Sequence, residues 1–414
     1  MIIVGKNNAG KSTVVEALRL ISIVTNRYKH LTVSPPPAWL DMPGRLYGVS
    51  PSLRDLEINF QTIYNNYGLP PVEITAIFSN KCSITIYIAG EEKIHAVIRD
   101  SDNNIIKDRK QAHSLGMPIV NIMPQVAPLQ KQEKILTEDY VKSTMSSYLA
   151  PLHFRNQLNI FYNEYFKRFQ QLVQKTWPNV QVKELLGQGG LPHDNLDLEI
   201  RNEGFVAEVA CMGHGLQMWL QTMWFLTYSE SATTIILDEP DVYMHADLQR
   251  RIIRFLKGQF DQVIITTHSI EIMSEVEPNN ILVVDKDRPK SVFLNTIPGV
   301  QHLIDSIGSA HNIHLSRLWN SRKFIFIEGK DLNILKKFQE KIFPQTPTPF
   351  DIIPNMSVGG WGGWNYSVGT NKFLRNSLGE KILAYCIYDS DYHTDEEISC
   401  RYSDAAKRDI QLHI

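Results

Sequence analysis

The sequence is poor in cysteine and has neither a long apolar run nor a strong net charge. Its four cysteines, Cys82, Cys211, Cys386 and Cys400, are scattered and form no CxxC pair. Such spacing argues against a zinc site or a disulfide framework and favours a reducing cytosol. No apolar run approaches the ~20 residues that a transmembrane helix needs, so we expect a cytoplasmic protein with no membrane partner.

The formal net charge is −2, and 43% of the 414 residues are hydrophobic and 21% charged. This is ordinary globular composition, and the length predicts two or three domains. Because there is no global basic field, a nucleic-acid partner would have to be held by a local groove. No heptad pattern is sustained, which argues against a long coiled-coil arm.

A phosphate-binding loop opens the chain. Residues 1–4 predict a strand and residues 14–25 a helix, and a match to GxxxxGK[ST] lies between them. In such a loop, backbone N–H groups and the positive end of the following helix face phosphate oxygens. Lys11 would reach the β- and γ-phosphates of ATP, and Ser12 would bind Mg²⁺. The predicted nucleotide-binding residues are Gly5, Lys6, Asn7, Asn8, Ala9, Gly10, Lys11, Ser12 and Thr13.

Two later apolar strands each end in chemically active residues. The first, residues 233–238, places Asp238 and Glu239 at the carboxyl end of a predicted parallel strand, where ligands bind in such sheets. Asp238 would hold Mg²⁺ through water, and Glu239 would orient or deprotonate the attacking water. The second, residues 262–267, precedes His268, which could hydrogen-bond a γ-phosphate and sense hydrolysis.

A pair of glycines precedes a predicted helix over residues 213–229. Gly213 and Gly215 flank His214 at the start of this helix, where backbone N–H groups can be presented to a phosphate. A simple turn before a helix is the alternative interpretation.

Three carboxylates follow two apolar strands near the carboxyl end of the chain. Glu328 follows a predicted strand over residues 323–327, and Asp389 and Asp391 end one over residues 382–388. Alternation along an extended backbone would put both aspartates on one side. Such oxygen ligands suit Mg²⁺ or Mn²⁺, which can activate water for attack on a phosphate. The alternative is two unrelated, solvent-facing strand ends.

Periodicity predicts most of the other elements. Strands are predicted over residues 56–63 and 72–100, the latter in an antiparallel layer, and a hairpin over residues 196–209. Residues 100–111 are polar and predict a loop. Helices are predicted over residues 131–149, 155–177, 246–258 and 331–343.

The order of the motifs resembles that in the ABC-type ATPase heads of the OLD (overcoming lysogenisation defect) family and related DNA-repair ATPases. In those heads a glycine-containing signature, which corresponds to Gly213-His214-Gly215 here, contacts the γ-phosphate bound by another subunit. The resemblance therefore implies a homodimer or higher homo-oligomer. His214 stands where relatives often have serine, and Ala246 where they usually have proline. The resemblance also implies a Mg²⁺-sensing glutamine in the insertion, for which Gln125 and Gln130 are candidates.

The C-terminal part resembles the Toprim domain that follows the head in OLD-family nucleases. The likeness includes Gly359-Gly360-Trp361 between the two acidic strands. It implies that the three carboxylates are metal ligands or the general base. Many relatives have an acidic residue where Leu332 stands, and Asp331 would substitute from the same helix face.

The predicted fold class is α/β, with an ABC-type P-loop ATPase head followed by a Toprim-like α/β domain. The head would occupy residues 1–315, with an insertion over about 30–210, and the Toprim-like domain residues 320–414. Only four residues precede the loop, and the further acidic segment of the family is absent. We therefore expect a chain truncated at one or both ends, with an incomplete Toprim-like domain that cleaves weakly or not at all.

The leading function is an ATP-dependent DNA endonuclease in phage defence, with ATP, DNA and an accessory defence protein as partners. Its catalytic residues would be Glu239 and His268 in the head and Glu328, Asp389 and Asp391 in the second domain. One alternative is an ATPase switch whose Toprim-like domain binds a partner or nucleic acid without cleaving. Another is a DNA-repair ATPase without nuclease, against which the missing coiled-coil arm argues.

Overall fold

The computed structural model divides the chain into two compact units. The first comprises Met1–His268 with Val284–Lys290, and the second Ser269–Val283 with Ser291–Ile414. The predicted domain boundary between residues 315 and 320 falls mostly outside the described part of the chain, and it stays a prediction. The structure describes all residues except 7–8, 54–68, 91, 124–125, 146, 148, 188–194, 286–289, 295–299, 301–316, 319–320, 330, 344–345, 347–348, 351 and 379–381.

The first unit combines parallel and antiparallel sheets with helices. Its strands are β1 (Ile2–Val4), β2 (Val72–Ile77), β3 (Ser83–Gly90), β4 (Lys93–Arg99), β5 (Val120–Met123), β6 (Val180–Leu186), β7 (Asp197–Asn202), β8 (Phe205–Glu208), β9 (Thr234–Asp238) and β10 (Gln262–Thr266). Its helices are α1 (Lys11–Arg27), α2 (Arg109–Ser114), α3 (Glu138–Thr144), α4 (Phe154–Ile160), α5 (Lys167–Thr176), α6 (His214–Tyr228) and α7 (Ala246–Leu256), with a π-helical turn at Tyr162–Phe166.

Hydrogen bonding in register aligns the strands of its parallel sheet, which run in the order β5-β9-β10-β1. Thr266 at the end of β10 lies opposite Asp238 at the end of β9 and opposite Ile3 in β1. The carboxyl ends of these three strands therefore meet at one edge of the sheet, which is where ligands bind in open α/β sheets.

The antiparallel layer β2-β3-β4 packs against α1 and confirms the strands predicted over residues 72–100. One buried cluster joins Leu20 and Val24 of the helix to Ile84, Ile86 and Ile98 of the strands. The opposite side of β3 and β4 is also buried, in a smaller cluster with Leu40, so this layer is covered on both faces. The predicted hairpin is present as β7-β8, which pairs with β6.

The second unit is a parallel sheet covered by helices. Its strands β13 (Lys323–Ile327), β14 (Asn355–Ser357), β15 (Leu383–Ile387) and β16 (Ile410–His413) run in the order β14-β13-β15-β16, and β11 (Ile281–Val283) pairs antiparallel with β12 (Val292–Phe293). Its helices are α8 (Ile270–Ser274), α9 (Leu332–Ile342), α10 (Trp364–Leu378) and α11 (Asp395–Lys407). Both units are thus α/β, which confirms the predicted class. In the described part of the chain, no helix combines the length and the hydrophobicity that a transmembrane span requires.

Two predicted elements are wrong in extent. The helix expected over residues 131–149 is reduced to α3, because Lys134 forms an antiparallel bridge with Asn195 and Leu196 donates its N–H to the Glu133 carbonyl. The loop expected to residue 111 ends earlier, because the Asp108 side chain accepts from the N–H of Gln111 and caps α2. The strand predicted over residues 56–63 lies outside the described residues.

Hydrogen bonds hold one buried histidine of the first unit in a neutral form. Trp224 Nε1 donates to Gln157 Oε1 at 2.9 Å, so the amide nitrogen of Gln157 faces His153 Nδ1 at 3.2 Å. His153 Nε2 lies 2.9 Å from the Thr144 hydroxyl, which itself donates to the Tyr140 carbonyl. Nδ1 therefore accepts and Nε2 donates, and a proton on Nδ1 would face the N–H groups of the amide. Burial lowers the pKa of this imidazole.

We expect the first unit to lose stability on acidification, with His153 as one cause. Because the pKa of His153 in the folded protein lies below the ordinary histidine value of about 6.5, the unfolded chain binds more protons between the two values. The contribution of His153 to the free energy of unfolding is therefore complete above about pH 6.5. As the pH decreases below that value, the contribution falls by up to about 1.4 kcal/mol per pH unit, until the pKa of the folded state is passed. Urea unfolding midpoints at pH 7.5 and 5.5 measure the loss.

His153→Gln should reduce the difference between the two midpoints, whatever its effect at either pH alone. His113→Gln, which alters an exposed histidine on α2, is the control and should leave the difference unchanged. An undiminished pH dependence in His153→Gln would show that this imidazole is not a source of the acid sensitivity.

Candidate functional site

The glycine-rich loop turns the chain from β1 into α1. Gly10 has φ +103°, a left-handed conformation that glycine adopts without strain, and it is the N-cap of the helix. Ser12 and Thr13 lie exposed in the first helical turn, where N–H groups without helical partners bind phosphate. Two predicted binding residues, Asn7 and Asn8, lie outside the described part of the chain.

The Lys11 side chain is folded into the loop. It is 7% exposed, and its Nζ donates to the carbonyl oxygens of Gly5 at 3.0 Å and Lys6 at 3.2 Å. Burial lowers the pKa of Lys11, and the charges of Glu239 and Asp238 oppose that shift. The ammonium is therefore within electrostatic range of the carboxylates of Asp238, at the end of β9, and Glu239, which follows it.

One hydroxyl joins the acidic strand to the histidine strand. Thr266 Oγ1 donates to Asp238 Oδ1 at 2.5 Å and accepts from the N–H of Glu239 at 3.1 Å. The same N–H lies 3.1 Å from the Thr266 carbonyl. Glu239 has φ +45°, so the chain turns sharply where its carboxylate leaves the sheet.

His268 lies beside the predicted catalytic carboxylate, with Nε2 3.7 Å from Glu239 Oε1. Burial lowers the pKa of His268, and the Lys11 charge lowers it further, against the attraction of Glu239 and Asp241. The imidazole is therefore neutral at neutral pH and can accept one hydrogen bond and donate another. Lys11, the two carboxylates and the histidine are thus brought together, although their roles stay predictions.

A further carboxylate belongs to this cluster and was missed in the sequence. Asp241 Oδ1 accepts from the Thr267 hydroxyl at 2.5 Å, one residue before His268. Burial raises the pKa of Asp241. Thr266, Thr267 and Asp241 together fix the two strand ends. The only signals were two threonines before the histidine and an acidic residue two positions after Glu239.

The glycine signature lies at the exposed start of α6. Gly213 is the N-cap of this helix, and it and His214 are both exposed. The His214 ring meets Tyr243 edge to face, with centroids 5.6 Å apart. A Cβ on Gly215 would come within 3.2 Å of the Tyr243 carbonyl, so a larger residue would crowd the loop after β9.

Buried polar side chains stabilise the turn that precedes Gly213 and α6. Gln217 Oε1 accepts from the N–H of Leu129 at 2.8 Å, and Gln217 Nε2 donates to the Met212 carbonyl at 2.8 Å. Glu208 Oε2 accepts from the N–H of Ala210 at 2.7 Å. The bond to Leu129 ties the start of α6 to a segment far away in the sequence, and the other two stabilise the turn before the helix.

Arg155 is the centre of this buried network. It is fully buried, and its guanidinium bonds to Glu133 at 3.1 Å and Glu208 at 2.6 Å. It also donates to the carbonyl of Gln130 at 3.1 Å. Gln130, one of the two candidate Mg²⁺-sensing residues, therefore takes part through its backbone. The other, Gln125, lies outside the described residues, and the identity of the sensor stays a prediction.

In the second unit, two strand ends bring Glu328 and Asp389 together. Ile327 pairs with Ile387 in the parallel register of β13 and β15, so the residues that follow are neighbours. The N–H of Asp389 donates to Glu328 Oε2 at 3.1 Å. Asp389 and Asp391 are exposed, whereas Leu332 packs into the core and offers no ligand in place of an acidic residue.

The strand alternation expected for Asp389 and Asp391 is wrong. β15 ends at Ile387, and Asp391 has φ +44°, a left-handed turn in which two-residue alternation no longer applies. Among the described residues, no three His, Cys, Asp or Glu side chains are grouped so as to hold a metal. The metal-binding roles of the three carboxylates therefore stay predictions.

The glycine and tryptophan predicted to accompany this site are next to it. Gly360 has φ +76°, and a Cβ there would lie 2.1 Å from Glu328 Oε1. Only glycine therefore lets the carboxylate approach the backbone this closely. Trp361 Nε1 donates to the Asp389 carbonyl at 2.8 Å, so this turn contacts both acidic strand ends.

Comparison with known proteins supports the ATPase assignment. A family described as "AAA domain, putative AbiEii toxin, Type IV TA system" matches residues 93–274. The Old nuclease of Escherichia phage P2 is 28% identical over an alignment of 208 residues, and the match covers 45% of this chain and 34% of that protein. The chain therefore matches much less than two thirds of the length of this relative.

Solved structures that match part of the chain weakly include head domains of SMC proteins. One is the Smc head domain with an extended coiled coil, bound to the C-terminal domain of ScpA, from Pyrococcus furiosus. It is 13% identical, the match covers 74% of this chain and 93% of that chain, and the TM-score is 0.38. Another is the SMC head domain from Thermotoga maritima, which is 12% identical; the match covers 71% of this chain and 90% of that chain, and the TM-score is 0.35. No conclusion rests on similarities this weak.

A phosphate-binding loop, an acidic strand and a histidine strand that share one sheet edge define an ATPase domain of the ABC/AAA type, and the family match agrees. Nucleotide binding follows from that class. The partial likeness to Old nuclease agrees with the predicted resemblance to the ATPase heads of the OLD family.

Lys11→Ala should weaken ATP binding by about ten- to a hundredfold, because a charge-assisted bond to the phosphates contributes about 1.5–3 kcal/mol. Isothermal titration calorimetry measures the affinity. Lys175→Ala, which removes an exposed lysine on α5, is the matched control and should bind like the parent. Equal affinity in Lys11→Ala would contradict the assignment of the loop.

Glu239→Gln should bind ATP but hydrolyse it about a hundredfold more slowly, because the amide keeps the shape of the side chain and cannot take a proton. Phosphate release under saturating ATP measures the rate. Glu230→Gln, at an exposed ion pair with Arg168, serves as the control. Turnover at the parent rate in Glu239→Gln would assign the base elsewhere.

Proposed function

We propose that this chain is an ATP-dependent DNA endonuclease that acts in phage defence. ATP bound at the first unit would control cleavage at the carboxylates of the second. The observation that carries the proposal is the contact between Glu328 and the backbone of Asp389 at adjacent strand ends. The name of the partial relative, Old nuclease, supports the same chemistry.

The second unit suits a hard divalent cation. Mg²⁺ is commonly held by one or two carboxylates, with water and substrate phosphate completing its shell. Glu328 and the exposed Asp389 fit that pattern, and Asp391 lies two residues further on. Mg²⁺ or Mn²⁺ held there would activate water and neutralise charge on the phosphate. At the first unit, Ser12 and Asp238 would hold the Mg²⁺ that accompanies ATP.

We also propose that the ATPase units assemble as a homodimer or higher homo-oligomer. Gly213 and His214 are exposed at the start of α6, where N–H groups are available to an anion outside the chain. Such a signature would complete the site of a second copy by contacting its γ-phosphate. DNA and an accessory defence protein are the further partners of this proposal.

A second candidate is an ATPase switch whose second unit binds nucleic acid or a partner without cleaving. It is favoured by one observation: in the part of the chain that the structure describes, the acidic side chains form no three-membered metal group. The two candidates differ in whether Glu328 acts on a phosphodiester bond.

Glu328→Gln should reduce to background the plasmid nicking of the parent in Mg²⁺ or Mn²⁺, which we expect to be weak, and leave ATP hydrolysis at the parent rate, because it removes a proposed metal ligand without changing the nucleotide site. Gel electrophoresis of supercoiled plasmid and phosphate release measure the two activities. Gly360→Ala should act in the same direction, since its methyl group would displace the Glu328 carboxylate.

Glu340→Gln is the matched control, because it neutralises an exposed glutamate on α9 of the same unit. It should nick as the parent does. Nicking at the parent rate in Glu328→Gln would exclude this carboxylate from cleavage and favour the switch.

A further inference from the structure

A cavity of about 350 Å³ lies in the second unit. It is next to Glu328 and Asp389, called the carboxylate pair below, because Trp361 in its lining donates to the Asp389 carbonyl. Its lining includes Trp361, Trp364, His393, Glu397, Arg401 and Asp404. Ligand-binding clefts in proteins start at about 300 Å³. The cavity is therefore large enough for one planar group of the size of a nucleobase, and it contains aromatic, cationic and anionic side chains.

Planar groups are stacked along this cavity. The rings of His393 and Trp361 lie face to face, with centroids 3.8 Å and planes 27° apart. The Arg401 guanidinium lies 4.8 Å from the Trp361 ring centroid and 5.0 Å from that of Trp364. Aromatic rings and guanidinium planes are the surfaces on which proteins stack unpaired nucleobases.

Hydrogen bonds hold these planar groups in position. Trp364 is 4% exposed, and its Nε1 donates to Asp404 Oδ2 at 2.7 Å. His393 Nδ1 lies 3.1 Å from Glu397 Oε2, and the same carboxylate caps α11 by accepting from the N–H of Thr394. A surface that is already ordered loses little conformational entropy when a ligand binds.

The stack is attached to the predicted catalytic segment. Trp361 Nε1 donates to the Asp389 carbonyl at 2.8 Å, and the N–H of Asp389 donates to Glu328. A base held against this tryptophan would therefore lie close to the segment that carries Asp389 and contacts Glu328.

From these contacts we infer that the cavity binds an unpaired nucleobase of a DNA strand and thereby positions that strand at the carboxylate pair. The inference rests on the proposed DNA-cleaving function and adds that the substrate is single-stranded or locally unpaired. Glu397 and Asp404 supply acceptor oxygens for the amino groups of bases. A free mononucleotide presents the same base, so the experiment has to separate the two sources.

The test measures binding of the full chain to a fluorescent single-stranded oligodeoxycytidine by anisotropy, in EDTA so that no metal-dependent cleavage occurs. Trp361→Ala and Arg401→Gln should each weaken binding about tenfold, within the range found for loss of a base-stacking side chain. Trp361→Phe, which keeps a ring, should retain most of the affinity. Lys407→Gln removes a positive charge from the same helix outside the cavity lining and should bind nearly as the parent does.

Parent-like binding by both Trp361→Ala and Arg401→Gln overturns the inference, as does an equal loss in Lys407→Gln, which would indicate charge alone. If Trp361→Ala does not fold, Arg401→Gln decides. Deoxycytidine monophosphate as competitor separates the sources: displacement of the oligonucleotide at micromolar concentration would assign the cavity to a free nucleotide and overturn the strand assignment. Failure to displace supports it.

The result is independent of cleavage. If the variants lose binding while the parent never nicks plasmid in Mg²⁺ or Mn²⁺, the nuclease proposal fails and the base-binding cavity stands. If the parent nicks plasmid and binding is unchanged in the variants, the reverse holds.

Discussion

The nucleotide site depends on one hydroxyl group, that of Thr266. It donates to the Asp238 carboxylate and accepts from the Glu239 N–H, so two adjacent strands define the position of both acidic residues. The parallel register puts this threonine opposite Asp238 in β9 and opposite Ile3 in β1, just before the phosphate-binding loop. The geometry of the acidic residues relative to Lys11 is therefore a property of the sheet.

In the second unit, as in the first, a hydrogen bond between the ends of two neighbouring parallel strands positions the carboxylates. In both units, the N–H of an acidic residue after one parallel strand donates to a side chain at the end of the neighbouring strand. The two units differ in the side chains that lie near these acidic residues. The first unit brings the Lys11 ammonium and a neutral imidazole to the edge of the sheet, which suits a nucleoside triphosphate. The second brings a tryptophan stacked on a histidine ring, which suits a base.

Local patterns made the phosphate-binding loop and most strands predictable. The loop needs a fixed spacing of glycine, lysine and serine, and buried strands need only a run of apolar residues, so both are visible in one segment of sequence. Contacts between distant segments were not visible. The bridge between Lys134 and Asn195 shortened a predicted helix, and the turn at Asp391 ended the expected alternation.

The same limit applies to the parts of the sites that sequence reasoning missed. The role of Thr266 follows from strand register, which fixes which residue stands opposite Asp238. The stacked cavity is built from the glycine turn at Trp361, the turn at His393 and the helix residue Arg401, which are separated in the chain. Neither residue type nor spacing identifies such a set, because each residue alone is an ordinary surface or core residue.

The two oxygens of Glu208 serve different partners, one holding the Arg155 guanidinium and the other capping the segment that leads to Gly213. Loss of Arg155 alone would leave the buried carboxylate of Glu133 without its counter-charge, at a cost of about 3–5 kcal/mol. Removing one of these three charged residues is therefore more costly than replacing all three by apolar residues of similar volume, which in buried ion pairs is often neutral or stabilising.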